Sequence, residues 1–436
     1  MPSNETTIID LLLDGRGVAD QEGKKVFIPF TIPGERVLYQ PRKKKKKFDE
    51  ARLLEILEPA AERVPAKCEY FTVCGGCTSQ HIETKAQLAF KQASVIETIR
   101  RIGRVEVQHI APPMSDKVWH YRRRARLAVK YVEKKGRALV GFREKDAPYV
   151  ADMLSCEVLH PNIGELISPL SDLISAFSIR DKVPQIECSV AENATSMVFR
   201  VLAPPSDGDL ESLASFSKQY DIRIYLQTKG LDTVKPLYDE EFDEPMYFTM
   251  PSGNVRLEFS PVDFIQVHHE INQRMVQQAI DWLELSSQDC VLDLFCGLGN
   301  FTLPISTIVK KVLGIEGDGN LVERARHNAM INGCTQAQFE AVDLFGVDEN
   351  CEWLQQRWDA AVIDPPRAGA REVISTLHQV APEKILYVSC HPGTLARDAE
   401  VLVHELGYQC ARVGVMDMFP HTGHVETMAL FVKRKL

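Results

Sequence analysis

Val291-Leu292-Asp293-Leu294-Phe295-Cys296-Gly297-Leu298-Gly299-Asn300 decides the fold of this 436-residue chain. An apolar, strand-like run enters a turn with two glycines, and a helical pattern follows. Glycines at such a turn let the backbone approach a ligand closely. About 20 residues on, Lys311-Val-Leu-Gly-Ile-Glu316 reads as a second strand ending in an acid placed for ribose hydroxyls. A dinucleotide could use the same unit, but Gly-x-Gly-x-x-Gly lacks its third glycine because position 302 is Thr302. Gly-x-Gly alone is weak evidence.

The neighbouring segments continue the alternation. A helix is predicted over Glu270 to Leu283, another over Gly319 to Asn332, and a strand over 337–343 that ends at Asp343. Asp364 opens the loop Asp364-Pro365-Pro366-Arg367 after a fourth strand. Units of this length imply α/β architecture with a parallel, doubly wound sheet from about residue 263.

Ile385-Leu386-Tyr387-Val388 then ends in Ser389-Cys390. The Asp364-Pro365-Pro366-Arg367 loop resembles those of methyltransferases that modify an exocyclic nitrogen, which use no nucleophile because the amine already carries a lone pair. A cysteine at this strand end points instead to a carbon that needs activation. Pyrimidine C5 is such a carbon, because a thiolate adding to C6 makes C5 enolate-like. Glu426 heads the apolar strand 425–432, where desolvating a carboxylate is costly, which favours a functional role. The bland reading of Cys390 is a packed thiol. Cys296 is a rival nucleophile inside the glycine turn, and His421 with His424 form an incomplete zinc pair.

Cys68, Cys74 and Cys77 cluster, and Cys156 follows much later. Structural zinc usually comes as two Cys-x2-Cys pairs, and one is present here. Iron–sulfur clusters accept three near ligands and one remote. Spacing alone leaves zinc, iron–sulfur and unrelated buried thiols open. Eleven cysteines with no export signal fit reduced thiols in the cytoplasm.

The net charge is −9, yet residues 91–130 carry ten Lys/Arg against three Asp/Glu. Such a segment, which includes Arg122-Arg-Arg-Ala-Arg126, either steers a polyanion or is a solvated face. No run of about 18 apolar residues exists to span a membrane. The partition expected is a small β module over 1–60, an antiparallel α+β domain over 61–262, and the α/β domain over 263–436. The cationic run Arg42–Lys47 is expected at an exposed hairpin tip.

Asp293-x-Phe-Cys-Gly-x-Gly resembles the S-adenosylmethionine pocket of class I, Rossmann-like methyltransferases. Gly297-Leu-Gly-Asn-Phe301, Ile363-Asp-Pro-Pro-Arg-Ala-Gly369, Val388-Ser-Cys-His-Pro-Gly-Thr394 with Leu395-Ala-Arg-Asp398, and His421-Thr-Gly-His-Val-Glu426 together resemble the RNA uracil-C5 methyltransferase family. The resemblance implies Cys390 as nucleophile and Glu426 as the base that removes the C5 proton. It implies Gln266, Phe295, Asn300, Glu316, Asp343 and Asp364 as the S-adenosylmethionine and active-site set. His268 departs from it, since the family usually has Asn there.

The pattern Cys68-Glu-Tyr-Phe-Thr-Val-Cys74-Gly-Gly-Cys77 resembles the same family's [4Fe-4S] site, with Cys156 as the fourth ligand. Asp14-Gly-Arg-Gly-Val-Ala19, Gly23–Pro29 and Pro33–Val37 resemble a TRAM module, an OB-like RNA-binding β-barrel. Phe30 stands where many members have Gly. A TRAM module together with the four cysteines implies the branch that acts on 23S rRNA. The whole resemblance implies a cytoplasmic, monomeric enzyme with no membrane association that methylates C5 of one uridine in 23S rRNA. The alternatives are the same chemistry on transfer RNA or another 23S uridine, a cytosine methyltransferase, and a non-catalytic iron–sulfur RNA-binding protein.

Overall fold

In a computed structural model of the chain, residues 4–238, 242, 244–348 and 350–434 are described. The N-terminal six strands are β1 (Asn4–Thr7), β2 (Asp10–Leu11), β3 (Arg16–Gln21), β4 (Lys24–Pro29), β5 (Arg36–Lys44) and β6 (Phe48–Glu58). They form one sheet in the order β1-β5-β6-β4-β3-β2. Alternating residues such as Val26, Ile28, Val37 and Tyr39 point inward to a small core of their own. The cations Arg42 to Lys47 are all exposed at the β5–β6 turn, as the charge run requires.

A second six-stranded sheet contains β8 (Arg124–Val132), β9 (Arg137–Gly141), β10 (Gln185–Val190), β11 (Thr195–Arg200), β12 (Ile222–Gln227) and β13 (Lys235–Pro236). Its order is β13-β12-β11-β10-β8-β9. Helices α2 (Pro161–Gly164), α3 (Ile167–Ser175) and α4 (Asp207–Tyr220) accompany it. A capping box between Ser206 and Asp209 starts α4. This helix carries the chain across from β11 to a parallel β12, so the sheet is mixed and not purely antiparallel.

The third sheet has eight strands, in the order β18-β17-β16-β19-β20-β22-β21-β7. Its members are β7 (Val107–Ile110), β16 (Cys290–Leu294), β17 (Lys311–Glu316), β18 (Ala337–Ala341), β19 (Ala360–Ile363), β20 (Lys384–Ser389), β21 (Tyr408–Met416) and β22 (Glu426–Lys433). A hairpin of β14 (Met246–Met250) and β15 (Val255–Phe259) precedes helix α5 (His269–Leu283). Helices α6 (Thr302–Ser306), α7 (Gly319–Ile331), α8 (Arg371–Thr376) and α9 (Pro392–Glu400) connect the strands. Strands β16 to β20 are parallel, and β22 enters antiparallel between β20 and β21.

One boundary expected from the sequence is corrected here. Helix α1 (Thr84–Ile102) and β7 lie inside 61–262, yet they belong to the C-terminal sheet. Strand β7 pairs with β21, and Leu88, Val95 and Ile99 of α1 share a core with Leu395, Ala396 and Ala399 of α9. The two faces of the sheet bury alternate residues. Leu292, Leu294, Ile363 and Tyr387 face the α1 side, while Val291, Val362, Leu386 and Val388 face a core continuous with the central domain. No described helix is long and apolar enough to cross a membrane.

Candidate active site

The parallel strands end at one edge of the sheet, where open α/β sheets bind ligands. Phe295 follows β16, Glu316 ends β17, Asp343 follows β18, Asp364 follows β19, and Cys390 follows β20. Glu426 opens β22 beside it. The last registered pair of β20 and β22 is Ser389 with Thr427, so Cys390 and Glu426 occupy the next step outward. Cys390 is half-buried and Glu426 is buried, at 6% exposure.

Burial pushes the Glu426 carboxyl well above the usual carboxylate range, and nearby Asp364 adds to the shift. Burial also raises the Cys390 thiol, helped by the negative charges of Glu426 and Asp364. Arg367 opposes both shifts. Its Nη2 donates to His424 Nδ1 at 2.9 Å, which ties the Asp364–Arg367 loop to the loop that leads into Glu426.

Both loops are fixed from outside. Buried Asp398 accepts from the Ala370 N–H at 2.8 Å and from the Tyr387 hydroxyl at 2.7 Å. Arg397 Nη2 donates to the Ala368 carbonyl at 2.9 Å. The 417–424 loop rests on Lys91, whose Nζ donates to Asp417 at 2.8 Å and to the Phe419 carbonyl at 3.0 Å. Both members of this ion pair are almost fully buried. The His421 carbonyl accepts from the Thr78 and Ser79 N–H groups at 2.8 and 3.1 Å, and Trp119 stacks on the His421 ring at 4.0 Å. His421 is thus committed to packing. Gly423 lies under the N-terminal sheet, where a Cβ would stand 2.2 Å from the Leu13 carbonyl.

The glycine turn has φ of 55° at Gly297 and 96° at Gly299, and Phe295 before it also sits at 65°. Gly297 N–H donates to Glu316 at 3.1 Å, locking the turn to the end of β17. The other Glu316 oxygen takes the Gly317 and Asp318 N–H groups. Asp293 is buried, and burial pushes it up to about 7, with Asp364 and Glu316 contributing. One of its oxygens accepts from Thr302, and the other has no partner among the described residues. Burial likewise raises Asp364 to about 7. This acidic pocket suits a cationic ligand, which would offset the repulsion.

Asn300 exchanges two amide hydrogen bonds, of 2.9 and 3.0 Å, with buried Asn272 of α5. Gln266 lines a small pocket with Asn272, His269 and Arg123. Asp343 is exposed and accepts the Phe345 N–H at 2.9 Å, and the Phe345 ring stands 5.7 Å from Phe295. The sequence reading missed Asn272, Phe345, Lys91 and Trp119. Their only signal was an amide, a ring or a cation in an otherwise ordinary helix or loop. His268 is fully buried, stacks on Tyr121 at 5.0 Å and contacts the Lys117 carbonyl at 2.9 Å. Its departure from the family's Asn is absorbed by packing beside Gln266. Cys296 is buried and pushed well up by burial, which makes it a poor nucleophile.

Cys68, Cys74, Cys77 and Cys156 line one small cavity with Phe71, Phe142, Met153 and Val158. Backbone N–H groups of Tyr70 and Gly76 approach the Cys68 and Cys74 sulfurs, the Gln80 side chain approaches Cys77, and the Val158 and Leu159 N–H groups approach Cys156. Burial raises the Cys77 and Cys156 thiols to about 12 and about 11. Among the described residues no group of three or more His, Cys, Asp or Glu side chains is gathered to hold a single metal ion. Four thiols in an apolar wall, each met by hydrogen-bond donors, fit a cysteine-ligated cluster.

The basic stretch is only partly a surface feature. Arg124 is largely buried and donates to Glu187 and to the Val262 carbonyl, both at 3.0 Å. Arg126 pairs with the same Glu187 across the β8–β10 register. Arg122 donates to the Arg124 carbonyl at 2.9 Å. Arg124 thus holds the central sheet to the 261–262 segment, while Arg126 stays exposed on its surface.

The description tRNA (uracil-5-)-methyltransferase matches residues 83–435. The chain belongs to the tRNA (uracil-5-)-methyltransferase family. Within that family it is similar to the 23S rRNA (uracil(1939)-C(5))-methyltransferase RlmD of Xanthomonas oryzae, at 45% identity over 99% of this chain and 97% of that one. The RlmD of Xylella fastidiosa is 44% identical, with 98% and 97% covered. Among solved structures, the Pyrococcus abyssi tRNA (uracil-54, C5)-methyltransferase in complex with S-adenosyl-L-homocysteine matches with a TM-score of 0.74. It shares 25% identity and covers 98% of this chain and 100% of that one. The α/β methyltransferase fold expected from the glycine turn is therefore the family's own.

Proposed function

We propose that this chain transfers a methyl group from S-adenosylmethionine to C5 of a uridine in 23S rRNA. The observation that carries the reading is the Cys390–Glu426 pairing at the carboxyl edge of a methyltransferase sheet. The 45% identity to RlmD proteins along nearly the whole chain supports 23S rRNA over transfer RNA. A base that reacts at a half-buried thiol must leave its stack, as enzymes acting on bases require.

S-adenosylmethionine supplies an electrophilic methyl group on a sulfonium. Gln266, Phe295, Asn300, Glu316, Asp343 and Asp364 are its proposed binding set, with Asn272 and Phe345 beside them. Cys390 adds as thiolate to C6 of the uracil, and the charge generated at C5 captures the methyl group. Glu426 accepts the C5 proton, after which the C6–sulfur bond breaks and Cys390 is released. The raised basicity of Glu426 suits a group that takes a proton late. Arg367 favours the ionised forms of both residues.

The first sheet is proposed as a TRAM barrel over 1–60, supported by the motif match and its self-contained core. The four cysteines are proposed to ligate a [4Fe-4S] cluster. It would tie the 68–77 segment to the one at 156 and so support Thr78 and Ser79 under the His421 carbonyl. Methyl transfer moves no net electrons, so the cluster's assigned role is bracing. The enzyme is taken to act as a cytoplasmic monomer. The deciding experiment maps 5-methyluridine in 23S rRNA from cells with and without this protein. One site should vanish without it, and an unchanged map would remove the assignment.

A further inference from the structure

A cleft of about 770 Å³ lies between the N-terminal sheet and the cysteine segment, lined in part by Phe30, Arg52, Leu54, Arg63, Phe71 and His81. Three features mark it as more than a packing gap. The first is Phe30, at φ 65°, where a bulky side chain strains the backbone and glycine would not. A ring kept there in spite of the strain has work to do beyond forming the turn. The second is His81, 3% exposed, with neither ring nitrogen in a well-formed hydrogen bond among the described residues. The Thr31 backbone approaches the ring, and burial keeps it neutral, with its pKa lowered to about 4. A neutral imidazole offers one donor and one acceptor. The third is an aromatic group, with the Phe30 and Phe71 centroids 5.3 Å apart and Phe71 and His81 5.5 Å apart.

The charge around the cleft is positive. Lys145 Nζ sits 4.1 Å from the Phe30 centroid. Arg52 is exposed and forms no ion pair among the described residues, while Arg63 is paired with Glu35. Arg42, with Asp146 3.9 Å away, connects this region to the cationic turn. Flat rings for stacking, a neutral donor–acceptor pair and cations at the rim are what an unstacked nucleobase and its phosphate need. The wall is also tied to the active site. His81 lies two residues after Ser79, whose N–H supports the His421 carbonyl.

We infer that this cleft is a second nucleotide site, which takes one unstacked base of the substrate RNA other than the reacting uridine. The inference rests on the RNA reading above. Phe30 provides the stacking face, His81 meets the base edge, and Arg52 meets the phosphate. Binding there anchors the strand while the target uridine enters at Cys390.

The test uses the full-length holoprotein and a single-stranded RNA fragment that the wild type methylates, with a photoreactive thio-base placed at one position at a time. One position away from the methylated uridine should cross-link to a peptide containing Phe30, Phe71 or His81. Phe30→Gly should raise KM for the RNA about ten-fold with kcat unchanged. Glycine relieves the backbone at this position but loses the ring's packing on Phe71 and Lys145, so both proteins are assayed well below their thermal midpoints. Arg52→Gln should instead reduce the slope of log affinity against log salt by about 0.7. An unchanged KM in Phe30→Gly, with no cross-link to these peptides, would overturn the inference. If the wild type methylates no RNA while still binding S-adenosylmethionine, the parent reading falls and the nucleotide site with it.

Discussion

Cys390 and Glu426 stand opposite each other one residue beyond the Ser389–Thr427 pair of two antiparallel strands. Directly opposed residues on one face have Cβ atoms about 5 Å apart. A pyrimidine held by C6 on one of them therefore presents C5 to the other. The register of β20 on β22 brings these strand ends together, and Glu426 lies near enough to raise the Cys390 thiol.

The charge around the pair predicts how Cys390 titrates. Burial, Glu426 and Asp364 raise the thiol above its ordinary value, so the thiolate is scarce at neutral pH. Alkylation of Cys390 by iodoacetamide should accelerate as pH rises, with its midpoint above that of an ordinary cysteine thiol. A cofactor analogue with a positive charge at the sulfonium position should lower that midpoint, whereas S-adenosylhomocysteine, neutral there, should not. Midpoints are compared because bound ligand also shields the thiol and changes the rate. Identical midpoints with both ligands would mean the acidic pocket does not control the nucleophile.

Asn272 is predicted to matter for cofactor affinity through Asn300. Asn272→Leu removes both amide bonds and leaves Asn300 free to rotate. Each such bond contributes about 1 kcal/mol, so S-adenosylmethionine affinity should fall about ten-fold, with kcat at saturation near the wild-type value. Calorimetric titration measures this, and unchanged affinity would remove Asn300 from the binding set.

The arginine stretch is predicted to act on stability. Arg124→Ala leaves Glu187, which is only 8% exposed, with Arg126 and Gln185 as its remaining partners. Denaturant unfolding should show a loss of about 3 kcal/mol. The salt dependence of RNA binding should stay as it was. A flatter salt slope with unchanged stability would restore these arginines to the RNA surface.

Protein purified without oxygen is predicted to carry about four irons and a broad visible absorbance, both lost in Cys156→Ser. The variant should lose RNA affinity and thermal stability together, since the 78–79 segment beneath His421 loses its anchor. Stoichiometric zinc in place of iron would overturn the cluster assignment.

Much of this was legible in the sequence because the relevant signals are local. The turn Gly297–Asn300, the strand before Cys390 and the charge run at 42–47 each announce their own structure within a few residues. What was not legible depends on distant pairing. Strand β7 is four residues long, and only its partner β21 reveals that it extends the methyltransferase sheet. The arginines of β8 resemble an RNA-facing run until Glu187 appears opposite them in register. Lys91 reads as one more surface cation on α1, although Asp417, 326 positions later, makes it a buried support for the 417–424 loop. Asn272 likewise gains meaning only when α5 meets the glycine turn.

The central claim is that Cys390 starts the reaction and Glu426 completes it, and trapping the intermediate tests that order most directly. Glu426→Gln keeps the size of the side chain but cannot accept a proton at neutral pH. Incubated with substrate RNA and labelled methyl donor, the variant should accumulate a slow, methyl-labelled protein–RNA band on a denaturing gel. The double variant with Cys390→Ala should give none. Normal turnover by Glu426→Gln, or a methyl-labelled adduct that persists without Cys390, would contradict the account.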